Sequence, residues 1–428
     1  MTAASPAAAA EVPTALGLLN AYVPIFLIAF ATALLTTPVV RRFAVRQGIV
    51  DRPDAARKFH AYPVAYLGGV AVFLGVAAAI LLSYVSGESL VLRAEPVPIA
   101  VLVGILAITF TGLADDVWGW DPRLKIAGQL VAAAALAVQD VGVRVAEGVF
   151  RPFLGASDGI LLDLGMVALT NGDLYYWLGT AIVAAFVLGG CNAANFIDGL
   201  DGLLSGSVAV MAVGFLAISL VMAVHATGGT DTASGSRIVL SLALLGAVLG
   251  FLPYNFNPAV IFLGDCGSLL LGYLCAVIIL MFGDQGQTHL VFAGLIVFSL
   301  PIIDTALAIL RRRLAGVSMA TADTHHIHHQ LRRSLGGVKR AVFTLYGICA
   351  AFAVLGFTLA WMVLETLVRV RVVYAVAAVL FGLVAAFAIK AARRVQWNAG
   401  LSTETIGPPA ETQRERRAAA VAAGESSA

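Results

Sequence analysis

The sequence is broken into apolar blocks of about 18 to 25 residues with few or no charges, the length of helix that crosses roughly 30 Å of hydrocarbon. Windows centred near residues 28, 76, 105, 131, 185, 213, 245, 274, 299, 352 and 380 predict about 11 crossings. Composition agrees. Across 428 residues, 60% are hydrophobic and 12% charged, against roughly 45–50% and about 25% in a soluble domain, which excludes a water-soluble globule. In lipid, backbone polar groups must pair within helices or a closed barrel, and the blocks show no period-2 alternation. The expected fold class is therefore an all-α polytopic membrane protein.

The 27 Lys and Arg residues predict its orientation. With the N-terminus outside, 21 fall on inner loops: six from Arg41 to Lys58, Arg123 and Lys125, seven from Arg311 to Arg340, and six from Lys390 to Arg417. Arg93, Arg144, Arg151, Arg237, Arg369 and Arg371 remain outside, so the first set marks the cytoplasmic face. Residues 1–16, rich in Ala and Pro, and 398–428, polar and Ala-rich, are expected to be disordered tails around a membrane domain over 17–397. No charged segment precedes the first apolar block, which is longer than a signal-peptide core and is expected to stay as a membrane helix. In the outer loop over 139–176, alternating Val141, Val143 and Val145 and a second apolar run at Ile160 to Leu164 predict a small β-hairpin. Tyr175, Tyr176 and Trp177 follow at the membrane boundary. Cys191, Cys266, Cys275 and Cys349 have no CxxC spacing, which implies neither a disulfide nor a cysteine metal site.

The polar residues within or beside these blocks gather on the inner loops. Gly112-Leu-Ala-Asp115-Asp116 closes the third crossing. Two adjacent carboxylates at a membrane boundary repel unless Mg²⁺ or a proton joins them; a plain polar helix end is the alternative. Cys191-Asn192-Ala-Ala-Asn195-Phe-Ile-Asp198-Gly199-Leu-Asp201-Gly202 spaces four polar residues by three, so its ends lie half a turn apart on an ideal helix. One ligand touches all four only if the helix breaks, and Gly199 and Gly202 permit a break lining a watery cavity. Asn donates and accepts while Asp holds a metal or a ribose hydroxyl, a set that suits a nucleotide pocket.

Phe262-Leu-Gly264-Asp265-Cys-Gly267-Ser268 adds a carboxylate between glycines that let a ligand approach, with helix capping as the competing role of Asp265. Asp323-Thr-His325-His326-Ile-His328-His329 follows Arg311, Arg312 and Arg313 in the longest inner loop. The arginines favour phosphate there over zinc. Asp304, seven residues before Arg311 in an apolar segment, is expected to be buried and paired. Arg57-Lys58-Phe-His60 and Pro63 lead into Leu67-Gly68-Gly69, a basic loop explained by orientation or by a shaped turn.

Over roughly residues 45 to 340, these motifs in their order resemble the polyprenyl-phosphate N-acetylhexosamine-1-phosphate transferase family, which includes the MraY and WecA types. The resemblance is carried by Arg57-Lys58-x-His60 with Leu67-Gly68-Gly69, Asp115-Asp116, Asn192-x-x-Asn195-x-x-Asp198-Gly-Leu-Asp201-Gly, Gly264-Asp265-x-Gly-Ser268, Pro301-Ile-Ile-Asp304-Thr and Asp323-x-x-His326-x-His328-His329. The spaced histidines are similar to the WecA and TagO branch, whose donor is usually UDP-GlcNAc, rather than the MraY branch, which transfers phospho-MurNAc-pentapeptide. Where the family often has Pro-x-Pro-Arg before Leu-Gly-Gly, this chain has Pro63-Val64-Ala65-Tyr66.

The resemblance implies transfer of GlcNAc-1-phosphate from UDP-GlcNAc to undecaprenyl phosphate, with UMP released. The reaction would need Mg²⁺, with Mn²⁺ as a substitute, at the cytoplasmic face of a bacterial plasma membrane. Another UDP-N-acetylhexosamine or phospho-MurNAc-pentapeptide is the alternative donor. Asp265 would be the principal Mg²⁺ ligand with Asp116 near the metal, and Asp115 would orient or deprotonate the acceptor phosphate. Asn195, Asp198 and Asp201 would surround the nucleoside and diphosphate, and Phe262 would stack on uracil. Lys58, His60, Lys125, Asn192, Asp304, Arg311, Arg312 and Asp323 complete the implied substrate contacts, and His326, His328 and His329 the implied catalytic set. Direct displacement is preferred to a covalent aspartyl-phosphate route. The resemblance also implies a homodimer, and no nucleic-acid partner is expected. The rival class is an ion-coupled transporter, which should carry its acids near the midplane on repeat-related helices; no internal repeat is visible.

Overall fold

The computed structural model describes residues 14–51, 63–85, 96–163, 168–226, 233–314 and 326–405. Helix α1 (Ala15–Gln47) starts where the Thr14 side chain accepts a hydrogen bond from Gly17 N (3.1 Å), and it stops at Gly48, whose φ of 73° suits a residue without Cβ. A short antiparallel pair, β1 (Val50–Asp51) and β2 (Val64–Ala65), leads to α2 (Gly68–Val85). Next come α3 (Ile99–Trp118), α4 (Pro122–Val138), α5 (Val145–Leu154), the antiparallel strands β3 (Ile160–Asp163) and β4 (Ala168–Thr170), and α6 (Asn171–Ile197). The remaining elements are α7 (Leu203–His225), α8 (Ser234–Asn255), α9 (Gly264–Met281), α10 (Thr288–Val297), α11 (Ser299–Leu314), α12 (Ile327–Leu335), α13 (Val338–Leu364) and α14 (Val370–Thr405).

Among the described residues, nine helices are long and apolar enough to cross a membrane, and α10 with α11, sharply bent at Phe298, makes a tenth if the pair counts as one span. The expected window near residue 131 is α4, which has 17 residues. The all-α polytopic class is as the sequence predicts. Helix α9 is the most enclosed, with 89% of its apolar window buried. Glycines let its neighbours come close: a Cβ on Gly112 of α3 would lie 2.5 Å from the Asp265 carbonyl oxygen, and one on Gly190 of α6 would lie 2.9 Å from the Gly272 carbonyl oxygen.

The described residues fall into two compact units, one within 1–305 and 325–379 and the other within 306–324 and 380–428. The second holds the C-terminal parts of α11, with Arg311, Arg312 and Arg313, and of α14. The first carries the other described candidate residues.

Three expectations need adjustment. The hairpin forms only from the second apolar run, as β3 and β4, while the Val141–Val145 stretch turns into α5. The left-handed backbone at Asp140 (φ 56°) and Gly142 (φ 78°) interrupts any strand there, and Val141, Val143 and Val145 are all buried. At the chain ends, Ala15 and Leu16 are already helical, and α14 continues through 398–405, ahead of Pro408 and Pro409, the first prolines past its start. The other tail residues lie outside the described set.

Candidate active site

Among the described residues of the first unit, the loops and helix ends that carry the acid, asparagine and Gly-Gly motifs meet at one end of the bundle. At its centre is the N-terminus of α9. Asp116, in the last turn of α3, accepts from the backbone N–H groups of Asp265 (Oδ1, 2.8 Å) and Cys266 (Oδ2, 3.0 Å). It thereby satisfies two of the four orphan donors at that helix start. Gly264 precedes them with φ 69°, and a Cβ there would strike the Asp116 carboxylate. The capping role open to Asp265 thus belongs to Asp116, supplied from another helix, and the Asp265 side chain is freed for other contacts.

Those contacts are Lys125 and Asn195. Lys125 Nζ donates to Asp265 Oδ2 and to Asp115 Oδ2 (3.0 Å), so the ammonium bridges two carboxylates. Asn195 Nδ2 donates to Asp265 Oδ1 (2.8 Å) and reaches Ser268 Oγ (2.8 Å). Lys125 sits in the first turn of α4, which Asp121 caps by accepting Arg123 N (2.7 Å), with Pro122 at the first helical position. A cation is disfavoured at a helix N-terminus by the macrodipole. Here two acids from α3 and α9 offset that cost. Of the adjacent pair, Asp115 thus meets the Lys125 ammonium and Asp116 meets backbone N–H groups.

The polar motif of α6 breaks where its glycines allow. The helix ends at Ile197, Asp198 occupies the C-cap position, and Gly202 (φ 75°) starts α7. Burial, reinforced by the charges of Asp265, Asp116 and Asp201, pushes the half-buried Asp198 up to about 8. Asp201 points elsewhere: its Oδ2 accepts from Asn257 Nδ2 (2.8 Å) and Ala259 N (3.0 Å), bracing the loop between α8 and α9. Asn192 donates to Gln129 Oε1 of α4 (2.9 Å) and Leu188 O (2.7 Å), so it ties α6 to α4. Of the four spaced polar residues, Asn195 and Asp198 face the acid cluster, and Asn192 and Asp201 are engaged in bracing.

The Leu67-Gly68-Gly69 turn is a close-packing device. Gly68 N and Gly69 N donate to Phe262 O (2.9 Å) and Leu263 O (2.8 Å), and Phe262 N donates to Ala65 O (2.8 Å). A Cβ on Gly69 would run into the Gly267 backbone nitrogen. Tyr66 lies edge-on to Phe262, with ring centroids 6.1 Å apart. Burial, then the Asp51 carboxylate that its hydroxyl hydrogen-bonds, raises the Tyr66 phenol above its usual range.

The histidines form a second group. Asp304, 1% exposed, accepts from His326 Nδ1 (Oδ2, 2.8 Å) and Ile327 N (Oδ1, 2.9 Å). His328 is buried, with neither ring nitrogen hydrogen-bonded among the described residues, and a Cβ on Gly199 would collide with its Nε2. Burial, with help from His329, holds His328 down near about 3, and burial also lowers His329. One potential ligand atom each from Asp304, His326 and His328 lies within 4.8 Å of the others. Both Asp304 oxygens, however, already accept N–H donors, which favours hydrogen bonding over zinc ligation at that carboxylate.

Lys58, His60, Asp323 and His325 lie outside the described residues, and Arg311 and Arg312 belong to the second unit. Gln129, Ser268, Asn257 and Tyr66 were not singled out as site residues. Ser268 and Tyr66 were visible within motifs, whereas Gln129 and Asn257 carried no local signal.

Residues 98–283 match glycosyl transferase family 4. The chain is 32% identical over 334 residues to the probable undecaprenyl-phosphate N-acetylglucosaminyl 1-phosphate transferase of Bacillus subtilis (strain 168), covering 77% of this chain and 82% of that one. It is 34% identical over 347 residues to the decaprenyl-phosphate N-acetylglucosaminephosphotransferase of Mycobacterium tuberculosis (strain ATCC 25618 / H37Rv), covering 75% and 78%. A phospho-N-acetylmuramoyl-pentapeptide-transferase of Bacillus cytotoxicus is 27% identical over 348 residues, covering 79% and 96%. With its ordered acid motifs drawn together around the start of α9 and its relatives matched over most of their length, the chain belongs to glycosyl transferase family 4, within the MraY/WecA superfamily of polyprenyl-phosphate sugar-1-phosphate transferases.

Proposed function

We propose that this protein transfers GlcNAc-1-phosphate from UDP-GlcNAc to undecaprenyl phosphate, giving lipid-diphosphate-GlcNAc and UMP at the cytoplasmic face of a bacterial plasma membrane. The observation that carries the reading is the Lys125 ammonium shared by Asp115 and Asp265, with Asn195 on the other oxygen of Asp265. Names of the Bacillus subtilis and mycobacterial relatives favour a GlcNAc donor, and the more distant pentapeptide transferase marks the alternative.

The chemistry brings two anions together, a lipid phosphate and a sugar diphosphate, so it needs positive charge fixed before they meet. The hard carboxylate oxygens of Asp115, Asp265 and Asp198 suit Mg²⁺: Asp115 and Asp265 share the Lys125 ammonium, and Asp198, pushed up by burial and by the charge of Asp265, gains most from a further cation. Asp265 and Asp198 would hold the ion, and when bound it would neutralise charge on the diphosphate. Lys125 would keep Asp115 aimed at the acceptor phosphate. That phosphate, with a second pKa of about 6, is mostly dianionic at neutral pH and only accepts, so Asp115 would orient it through the Lys125 ammonium it holds. Phe262 offers a ring face for uracil, worth about 1–3 kcal/mol by stacking. Asp116, whose oxygens are occupied by backbone N–H groups, acts by fixing the start of α9.

The test supplies detergent-solubilised protein with UDP-GlcNAc, a polyprenyl phosphate and Mg²⁺, and measures UMP and lipid-linked sugar. Asp265→Asn and Asp115→Asn should each abolish turnover while thermal unfolding stays close to wild type. Full turnover in both variants would refute the site. Preference for UDP-MurNAc-pentapeptide over UDP-GlcNAc would overturn the donor.

A further inference from the structure

We propose that Asp304 is a positioning residue that sets the tautomer and direction of the His326 ring. The proposal rests on the transfer reaction argued above, and it gives Asp304 a task other than touching substrate. A carboxylate at 1% exposure must have its lone pairs met from within the protein. Its two oxygens take one donor each: Oδ2 takes His326 Nδ1 at 2.8 Å and Oδ1 takes the backbone N–H of Ile327 at 2.9 Å. An ionised carboxylate only accepts, so the hydrogen between Asp304 and His326 resides on Nδ1. In the neutral ring that leaves Nε2, on the opposite edge, as an acceptor, which can donate to a phosphate oxygen only once it has taken up a proton.

The neighbours hold the ring in the same pose. His326 is the N-cap residue of α12, its ring centroid lies 6.0 Å from that of Phe196 in the broken-helix motif, and His328 stacks on it at 5.4 Å with an interplanar angle of 13°. His328 in turn fills the space left by the missing side chain of Gly199. One carboxylate from α11 therefore both caps the histidine helix and orients its leading histidine, next to the turn that carries Asp198. Asn at position 304 has one acceptor oxygen for the Ile327 N–H and turns its amide donor toward Nδ1, so the ring must carry its hydrogen on Nε2 instead.

Three measurements on the full-length protein decide the matter. In ¹⁵N-histidine NMR, the His326 signal, assigned by its absence in His326→Gln, should report Nδ1–H in wild type and a changed tautomer in Asp304→Asn. In turnover, Asp304→Asn should lower kcat by about tenfold or more with donor KM nearly unchanged, but lower it less than about twofold further in a His326→Gln background. Ile327→Pro separates capping from orientation: it removes the capped N–H at a first-turn position that tolerates proline, puts a smaller apolar ring in place of the partly buried isoleucine, and should keep kcat within about threefold. An unchanged tautomer in Asp304→Asn, or equal fold losses in both backgrounds, overturns the proposal. A wild-type protein that releases no UMP sinks the transferase reading instead, and the NMR comparison still decides the hold of Asp304 on His326.

Discussion

Asp198 differs from the other acids at this end of the bundle, because Asp116, Asp201, Asp265 and Asp304 each have a hydrogen-bond donor and no such partner is found for the Asp198 carboxylate among the described residues. Its neutral form is favoured up to about 8, whereas an Asp in an unfolded chain titrates near about 3.9. Between those values the folded protein binds more protons than the unfolded chain, so stability must fall as pH rises through that window. Thermal unfolding followed from pH 5 to 8 should therefore show wild type losing ground steadily to Asp198→Asn, which has no proton to give up. A divalent cation beside Asp198 favours the charged form, so Mg²⁺ should flatten the difference. Parallel pH dependence in the two proteins, with and without Mg²⁺, would refute the assignment.

At the level of elements, the arrangement depends on α3 lying almost against α9. A methyl group at Gly112 would meet Asp265 O and Cys266 N, both at 2.5 Å. Backbone atoms on both sides cannot rotate away, so Gly112→Ala should force the helices apart at an overpacking cost of about 1–3 kcal/mol. The same shift would pull Asp115 and Asp116 from Asp265. Turnover and melting temperature should both drop, whereas Gly189→Ala on α6, with nothing within 4 Å, should leave both near wild type. A Gly112→Ala protein as active and as stable as that control would contradict the packing argument. Much of this element-level layout could be read in the sequence. The break of α6 followed from Gly199 and Gly202, and the meeting of acids followed from their shared position at inner helix ends. The division of labour among them could not be read, because it depends on pairings such as Asp116 with Asp265, 149 residues apart, and Lys125 with Asp265, 140 apart. Local spacing gives no account of which carboxylate caps a helix and which is left for a ligand. Helix α5 escaped for a related reason: alternating valines mimic a strand until positive φ at Asp140 and Gly142 makes extension impossible.

For the whole molecule, the uneven distribution of basic residues and the geometry of the acid cluster make one joint demand. The start of α4 lies at the acid end of the bundle and carries Arg123, while the α5–β3 connection, at the far ends of α4 and α6, carries Ser157; both residues are exposed. The 21 to 6 division of Lys and Arg predicts that the first faces the cytoplasm and the second the outside. The four native cysteines are buried, so a single introduced thiol can be read against a low background. In intact cells a membrane-impermeant maleimide should label Ser157→Cys at once and Arg123→Cys only after permeabilisation. Reversed labelling would put the acid cluster on the side without nucleotide sugar, and labelling of both from outside would dissolve the topology itself. Either result would remove the physical reason for gathering these carboxylates where a soluble UDP-sugar can meet a lipid phosphate at the headgroup level.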